Sequence, residues 1–151
     1  EEIIVTDISK NALTFAKSVG ADRVINVLEE HDELKNYESN KGYFDIAIEC
    51  SGSKQGISDS INCLKPKGTL IQLGLGGDVL IPLVLVTTKE LNLRGSFRFH
   101  TEFELAVNMM KKKLINVNPL ITHKLDFKSA KEAFELAMNN EEQSMKVQLS
   151  F

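Results

Sequence analysis

Residues 44–77 read FDIAIECSGSKQGISDSINCLKPKGTLIQLGLGG, and this stretch decides the fold. Phe44–Glu49 is a short apolar run of strand length, closed by Cys50-Ser51-Gly52. Ile57, Ile61 and Leu64 then recur at i, i+4 and i+7, the repeat of a helix with one buried stripe, and Pro66 and Gly68 stop it. Thr69–Leu73 is another run of strand length, and it ends in the loop Gly74-Leu75-Gly76-Gly77. Strand, helix and strand in succession predict a parallel pair joined by a helical crossover.

The same alternation continues on both sides. Upstream, Ile3–Val5 is a continuous apolar run ending at Thr6-Asp7, as a strand buried on both faces would be. Ser9 reads as the N-cap of a helix carrying Ala12, Leu13, Phe15, Ala16 and Val19, and Gly20 stands where a left-handed terminating residue is wanted. Arg23–Val27 is a further strand, and His31–Asn40 is a polar, solvated helix or loop. Downstream, Leu91–Phe97 is a strand with Gly95 inside it. Thr101 with Glu104, and Ser129 with Glu132, have capping-box spacing ahead of two more helices. Leu120–His123 between those helices is extended, and Val147–Phe151 is a terminal strand. The whole predicts an α/β fold, a parallel sheet wound on both faces. No internal repeat, low-complexity tract or linker interrupts it.

A chain of 151 residues, 42% hydrophobic, has room for one well-filled domain. A net charge of −3 without a basic stripe excludes a nucleic-acid or anionic-membrane partner. Lys111–Lys113 suits the negative end of a helix dipole. Cys50 and Cys63 lack any metal spacing and are expected as two buried free thiols, which fits a reducing cytoplasm. Leu70–Val86 is broken by glycines, Asp78 and Pro82 and is no membrane span. The sequence opens on Glu1-Glu2 and enters an apolar strand at once, without Met or leader, so a piece of a longer protein is expected.

Doubly wound sheets bind ligands beyond the carboxyl ends of their strands. Asp7 ends one strand, where its carboxylate can accept both hydroxyl protons of a ribose, or can simply favour the following helix N-terminus. Ser51-Gly52 either brings backbone close to a flat ring or makes a tight strand-to-helix turn. Gly74–Gly77 lacks G-x-G-x-x-G spacing, so it fits backbone passing a cofactor ring better than a phosphate cradle. Arg98, between Phe97 and Phe99, either holds a carboxylate or polyol oxygen or is a plain surface residue. The three histidines have no zinc spacing, and neither a nucleophile elbow nor a P-loop lysine motif occurs.

Taken in order, Ile4-Val5-Thr6-Asp7-Ile8-Ser9, Ala16-Lys17-Ser18-Val19-Gly20-Ala21-Asp22, Phe44-Asp45 with Glu49-Cys50-Ser51-Gly52, Gly68-Thr69-Leu70 with Gly74-Leu75-Gly76, Leu93–Phe99 and Lys146–Leu149 resemble the medium-chain zinc-type dehydrogenases, in their sorbitol and idonate branch. The similarity covers nearly the whole chain. It implies that residues 1–151 form a partial NAD-binding domain of Rossmann type, with the C-terminal helix and strand included. The first strand, the G-x-G-x-x-G turn and its helix would be missing from it. In the strand order 3-2-1-4-5-6 that missing strand is central, so association or a rearranged sheet is expected.

The resemblance also implies roles. Asp7 would hold the adenosine ribose and favour NAD over NADP, Ala12 stands where relatives carry an arginine, and Lys10 substitutes in part. Ser51 and Gly52 would border the adenine. Leu73, Gly74 and Leu75 would pass along the nicotinamide, and Ser96, Phe97 and Arg98 would close that end. Arg98 and Phe99 would face substrate, Phe99 replacing a tyrosine. The implied activity is NAD-dependent oxidation of a secondary alcohol of a polyol or aldonate by a cytoplasmic homo-oligomer. The catalytic zinc would be held by residues outside this chain, which alone would be inactive. The rival reading is a non-catalytic NAD-binding or association module. A methyltransferase would also put an acid at Asp7 but needs a proline-rich motif that is absent.

Overall fold

The computed structural model describes residues 1–139 and 144–151 and divides the chain into two units, Glu1–Glu30 with Phe99–Phe151, and His31–Arg98. The first unit opens with strand β1 (Ile4–Asp7), helix α1 (Lys10–Ser18) and strand β2 (Arg23–Asn26). In the second, a short helix α2 (Lys35–Glu38) precedes β3 (Phe44–Glu49), α3 (Lys54–Cys63), β4 (Leu64–Gln72), α4 (Leu83–Thr88) and β5 (Asn92–Gly95). The first unit then resumes with α5 (Thr101–Lys111), β6 (Ile121–Asp126), α6 (Ala130–Asn139) and β7 (Lys146–Ser150).

Every strand pair among the described residues is parallel, as the alternation of strands and helices requires. The orders are β1-β2, β3-β4-β5 and β6-β7. Among the described residues β1-β2 and β3-β4-β5 keep the neighbours that the order 3-2-1-4-5-6 gives without its first strand, rather than a rearranged pairing, and β6-β7 is a further pair. Among the described residues β1 pairs with β2 alone and β3 with β4 alone, so each keeps one open edge.

The core of the second unit is the helical repeat read from the sequence. Ile57, Ile61, Leu64 and Leu70 are buried together, with Phe44, Ala47, Val79, Leu85, Val86 and Leu91 packed around them. The opposite face of β3 is uncovered, with Ile46 58% and Ile48 62% exposed. Between Phe44↔Leu64 and Ile46↔Thr69 the β3–β4 register shifts, and the extra residues of β4 include Pro66, Lys67 and Gly68. The helix-stopping residues thus bulge a strand that has already begun at Leu64. In the first unit Ser9 caps α1 as expected, its hydroxyl accepting from Ala12 N at 3.3 Å, and Gly20 follows with φ +118°.

Several expectations are corrected. His31–Asn40 is not simply solvated, because Leu34 and Tyr37 are buried and the Tyr37 ring lies 5.0 Å from that of Phe44. Residues 83–88, unassigned by periodicity, form α4. Neither capping box closes among the described residues. His100 occupies the N-cap of α5 and its N–H donates to the Glu102 carboxylate at 2.9 Å, while Asp126 accepts from Lys128 N at 2.9 Å ahead of α6. Strand β5 ends at Gly95 instead of enclosing it. Cys63 is buried but Cys50 is exposed, since alternation along β3 turns Glu49 inward and its successor outward.

Lys89, 7% exposed, closes α4 and donates through Nζ to the carbonyls of Ile61 (3.1 Å), Asn62 (2.8 Å) and Leu64 (2.9 Å). Ile61 and Asn62 lie in the last turn of α3 and Leu64 is its C-cap, where the helix dipole is negative. Its own carbonyl accepts from Lys67 N at 2.7 Å, which ties in the β4 bulge. Burial holds its ammonium below the usual lysine range, with Cys63 and Glu38 opposing. Lys89→Met keeps the aliphatic stem and leaves three carbonyls without their donor. We expect it to lower the unfolding free energy by about 2 kcal/mol in urea denaturation.

Candidate functional site

The turn after β3 and the loop after β4 meet backbone to backbone. A Cβ placed on Gly74 would stand 2.0 Å from Gly52 N, and one on Gly76 would stand 2.1 Å from Gly52 O. Gly52 itself has φ +68°, and a Cβ there would meet Gly76 N at 2.6 Å. Only glycine permits both this conformation and this approach. Ser51, Gly52, Gly74 and Leu75, four of the residues singled out in the sequence, are thereby brought together.

Glu49, 4% exposed, sits beneath them. Its Oε1 accepts from Ser51 N (2.9 Å) and from the Ser51 hydroxyl, and its Oε2 accepts from Gly52 N (2.9 Å) and from Gln72 Nε2. Gln72 Nε2 also donates to Gly74 O at 3.0 Å, and Gln72 O accepts from Ser96 N at 2.9 Å. Leu73 N and Gly74 N both donate to Glu49 O, at 2.8 and 2.9 Å. Glu49 and Gln72 belong to this site although no motif of the sequence assigns either a role there. The available signal was a carboxylate at the inward end of an apolar strand, which must find donors when buried.

Burial pushes the Glu49 carboxyl upward, but hydrogen bonds from Ser51, Gly52 and Gln72 outweigh it and hold the group below the ordinary carboxyl value. Partial desolvation beside the turn raises the thiol of the exposed Cys50, with Glu49 adding to the effect, and burial pushes the Cys63 thiol up to about 12.

A groove of about 350 Å³ in this unit is lined by Gly52, Gln72, Gly74, Gly76, Arg94 and Gly95, among others. A Cβ at Gly77 or Gly95 would meet nothing within 4 Å, so backbone there is open to a flat ligand. Beyond β5, Arg98 adopts φ +58°, an uncommon conformation for a residue with a side chain, and its guanidinium lies 5.0 Å from the centre of the Phe97 ring. The expected second flanking ring is engaged elsewhere, because Phe99 packs on Phe103 at 4.9 Å.

In the other unit Asp7 Oδ1 accepts from Ser9 N at 2.8 Å, which is the helix-favouring alternative for this residue. That bond uses one carboxylate oxygen. Lys10 is ion-paired with Glu29 at 2.6 Å on the surface. A broader depression beside Lys10, Thr14 and Lys17 holds none of the strand-end residues. Among the described residues no group of three His, Cys, Asp or Glu side chains could hold a metal, so these residues do not fit a catalytic zinc. No helix among them is long and apolar enough to cross a membrane.

Two outcomes follow from the turn–loop contact. Gly74→Ala must separate the two backbones and is expected to cost about 3 kcal/mol in urea denaturation, whereas Gly77→Ala stays within about 0.5 kcal/mol of the parent. Because the folded carboxyl of Glu49 lies below its unfolded value, its contribution is present above the ordinary 4.5 and is lost as pH falls through the folded value. The stability difference between the parent and Glu49→Gln should therefore narrow as unfolding is measured from about pH 7 down to about pH 3.

The family model for zinc-binding dehydrogenases matches residues 2–112. L-idonate 5-dehydrogenase (NAD(P)(+)) from Escherichia coli K12 is 34% identical over 151 residues, which are 99% of this chain and 43% of that protein. Sorbitol dehydrogenase from Rattus norvegicus is 37% identical over 140 residues, 90% of this chain and 39% of that protein. The crystal structure of the E. coli L-idonate 5-dehydrogenase superposes with a TM-score of 0.91 over 99% of this chain and 43% of its own. The chain thus spans about two fifths of the length of these relatives. Its parallel strands and helical crossovers are those of a Rossmann-type fold, and the chain belongs to the zinc-binding dehydrogenase family.

Proposed function

We propose that the chain supplies the NAD-contacting residues of an oxidoreductase that oxidises a secondary alcohol of a polyol or aldonate. The observation that carries this reading is the convergence of Ser51, Gly52, Gly74 and Leu75 on one another, with Ser96 tied to the same strand end through Gln72. Backbone held this way at Leu73, Gly74 and Leu75 offers a flat surface to a nicotinamide ring, while Ser51 and Gly52 border the adenine. Bound nicotinamide supplies the hydride acceptor. Ser96, Phe97 and Arg98 close that end, and Arg98 with Phe99 contacts the substrate. Asp7 accepts from the adenosine ribose and disfavours a 2′-phosphate by charge, and Lys10 assists once released from Glu29. The relatives' names point to the same substrate class. The zinc ligands of the complete enzyme lie outside these residues, the isolated chain is inactive, and the working protein is a cytoplasmic homo-oligomer.

A second reading is a non-catalytic NAD-binding or association module, favoured by the open edges of β1 and β3 and the uncovered Ile46 and Ile48. Turnover of polyols and aldonates by the natural protein separates the two, since a module binds NAD without oxidising anything. For the cofactor, fluorescence titration should give NADH an affinity about tenfold above NADPH, a difference of about 1.4 kcal/mol. Asp7→Asn should close most of that gap. Equal affinities in the parent protein, or tighter NADPH binding, would overturn the role given to Asp7.

A further inference from the structure

We propose that the side chains of Glu49 and Gln72 are a positioning pair that sets the placement of cofactor segment 51–52 relative to segment 73–75, beside segment 96–98. This deepens the NAD-binding reading above and rests on it.

The geometry carries the inference. A carboxylate has about four acceptor sites, and Glu49 fills them with Ser51 N, Ser51 Oγ, Gly52 N and Gln72 Nε2. From Gln72 the connections continue to Gly74 O through the side chain and to Ser96 N through the main chain. Two segments that are separate in sequence are therefore bonded through the side chains of two adjacent strand residues, and the third is carried by the main chain of the same strand. Stability alone does not call for this arrangement. The β3–β4 ladder already fixes the strands, and an apolar pair of similar volume is often as stable as a buried charged one. Such a pair would leave the Ser51–Gly52 turn and the Gly74 loop free to shift by tenths of an ångström. With 4% of its surface exposed, Glu49 acts through these loops and not by touching the ligand. Gln72→Met removes the bridge to Gly74 while retaining the bonds of Glu49 to Ser51 and Gly52. Glu49→Gln keeps the volume but places an amide N–H₂ among donors.

The test is an NADH titration of the protein by NMR, following the amides of Gly52, Gly74 and Ser96 in the parent, Glu49→Gln and Gln72→Met. Resolved folded-state resonances report folded molecules alone, so a role confined to stability leaves their Kd unchanged. We expect the Kd for NADH to rise at least about tenfold in both variants, with faster hydrogen exchange at Gly52 in Glu49→Gln. Gln72→Met provides the readout should Glu49→Gln fail to fold. An unchanged Kd in folded Gln72→Met, whatever its melting temperature, overturns the positioning role and leaves NAD binding intact. No NADH response in the parent protein overturns the cofactor reading itself, and the positioning role with it.

Discussion

The buried carboxylate of Glu49 is the constraint around which the second unit is arranged. A charge at the inward end of a strand is tolerable only when donors surround it, and the residues that follow supply them by turning sharply at Ser51–Gly52. That turn brings Gly52 against the loop after β4, and the approach in turn requires glycine at 74 and 76. One electrostatic requirement therefore propagates into backbone conformation, loop contact and the shape of the groove.

A second buried charge plays a comparable part at the other end of α3. Lys89 gathers the terminal carbonyls of that helix and, through its own carbonyl, the bulge of β4. The helix is thus held at its C-terminal end by an ammonium group, while at its N-terminal end Ser53 accepts from Gly56 N at 3.0 Å. Polar groups fix the ends of the crossover, and Ile57 and Ile61 fix its middle.

What was legible in the sequence followed from local rules. Phe44–Glu49 is the strand its apolar run indicated, and Ser9 caps α1 through its own hydroxyl. What was not legible depended on contacts distant in sequence. Leu83–Thr88 gives no alternation of apolar and polar residues, and its helical form shows only once Leu85 and Val86 pack on the α3 cluster. Tyr37 looked solvated within an acidic stretch until Tyr43 and Phe44 folded against it. At α5 the capping-box spacing was present, but Glu102 reached the free N–H of His100 and the helix began without Thr101 as its cap. Of the site, the glycines and strand ends were readable because their residue types are conformationally telling. Glu49 and Gln72 were not, because their significance lies in partners from different segments.

The glycine contact has a consequence for how such chains can vary in length. Gly74 and Gly76 face Gly52 directly, while Gly77 faces open space. An insertion between β4 and Gly76 would displace the loop from the turn and would need a matching change after β3. Beyond Gly77 that coupling ends. Related chains should therefore share a fixed loop length up to this point and diverge in length just after it, so that natural indels themselves mark where the contact stops.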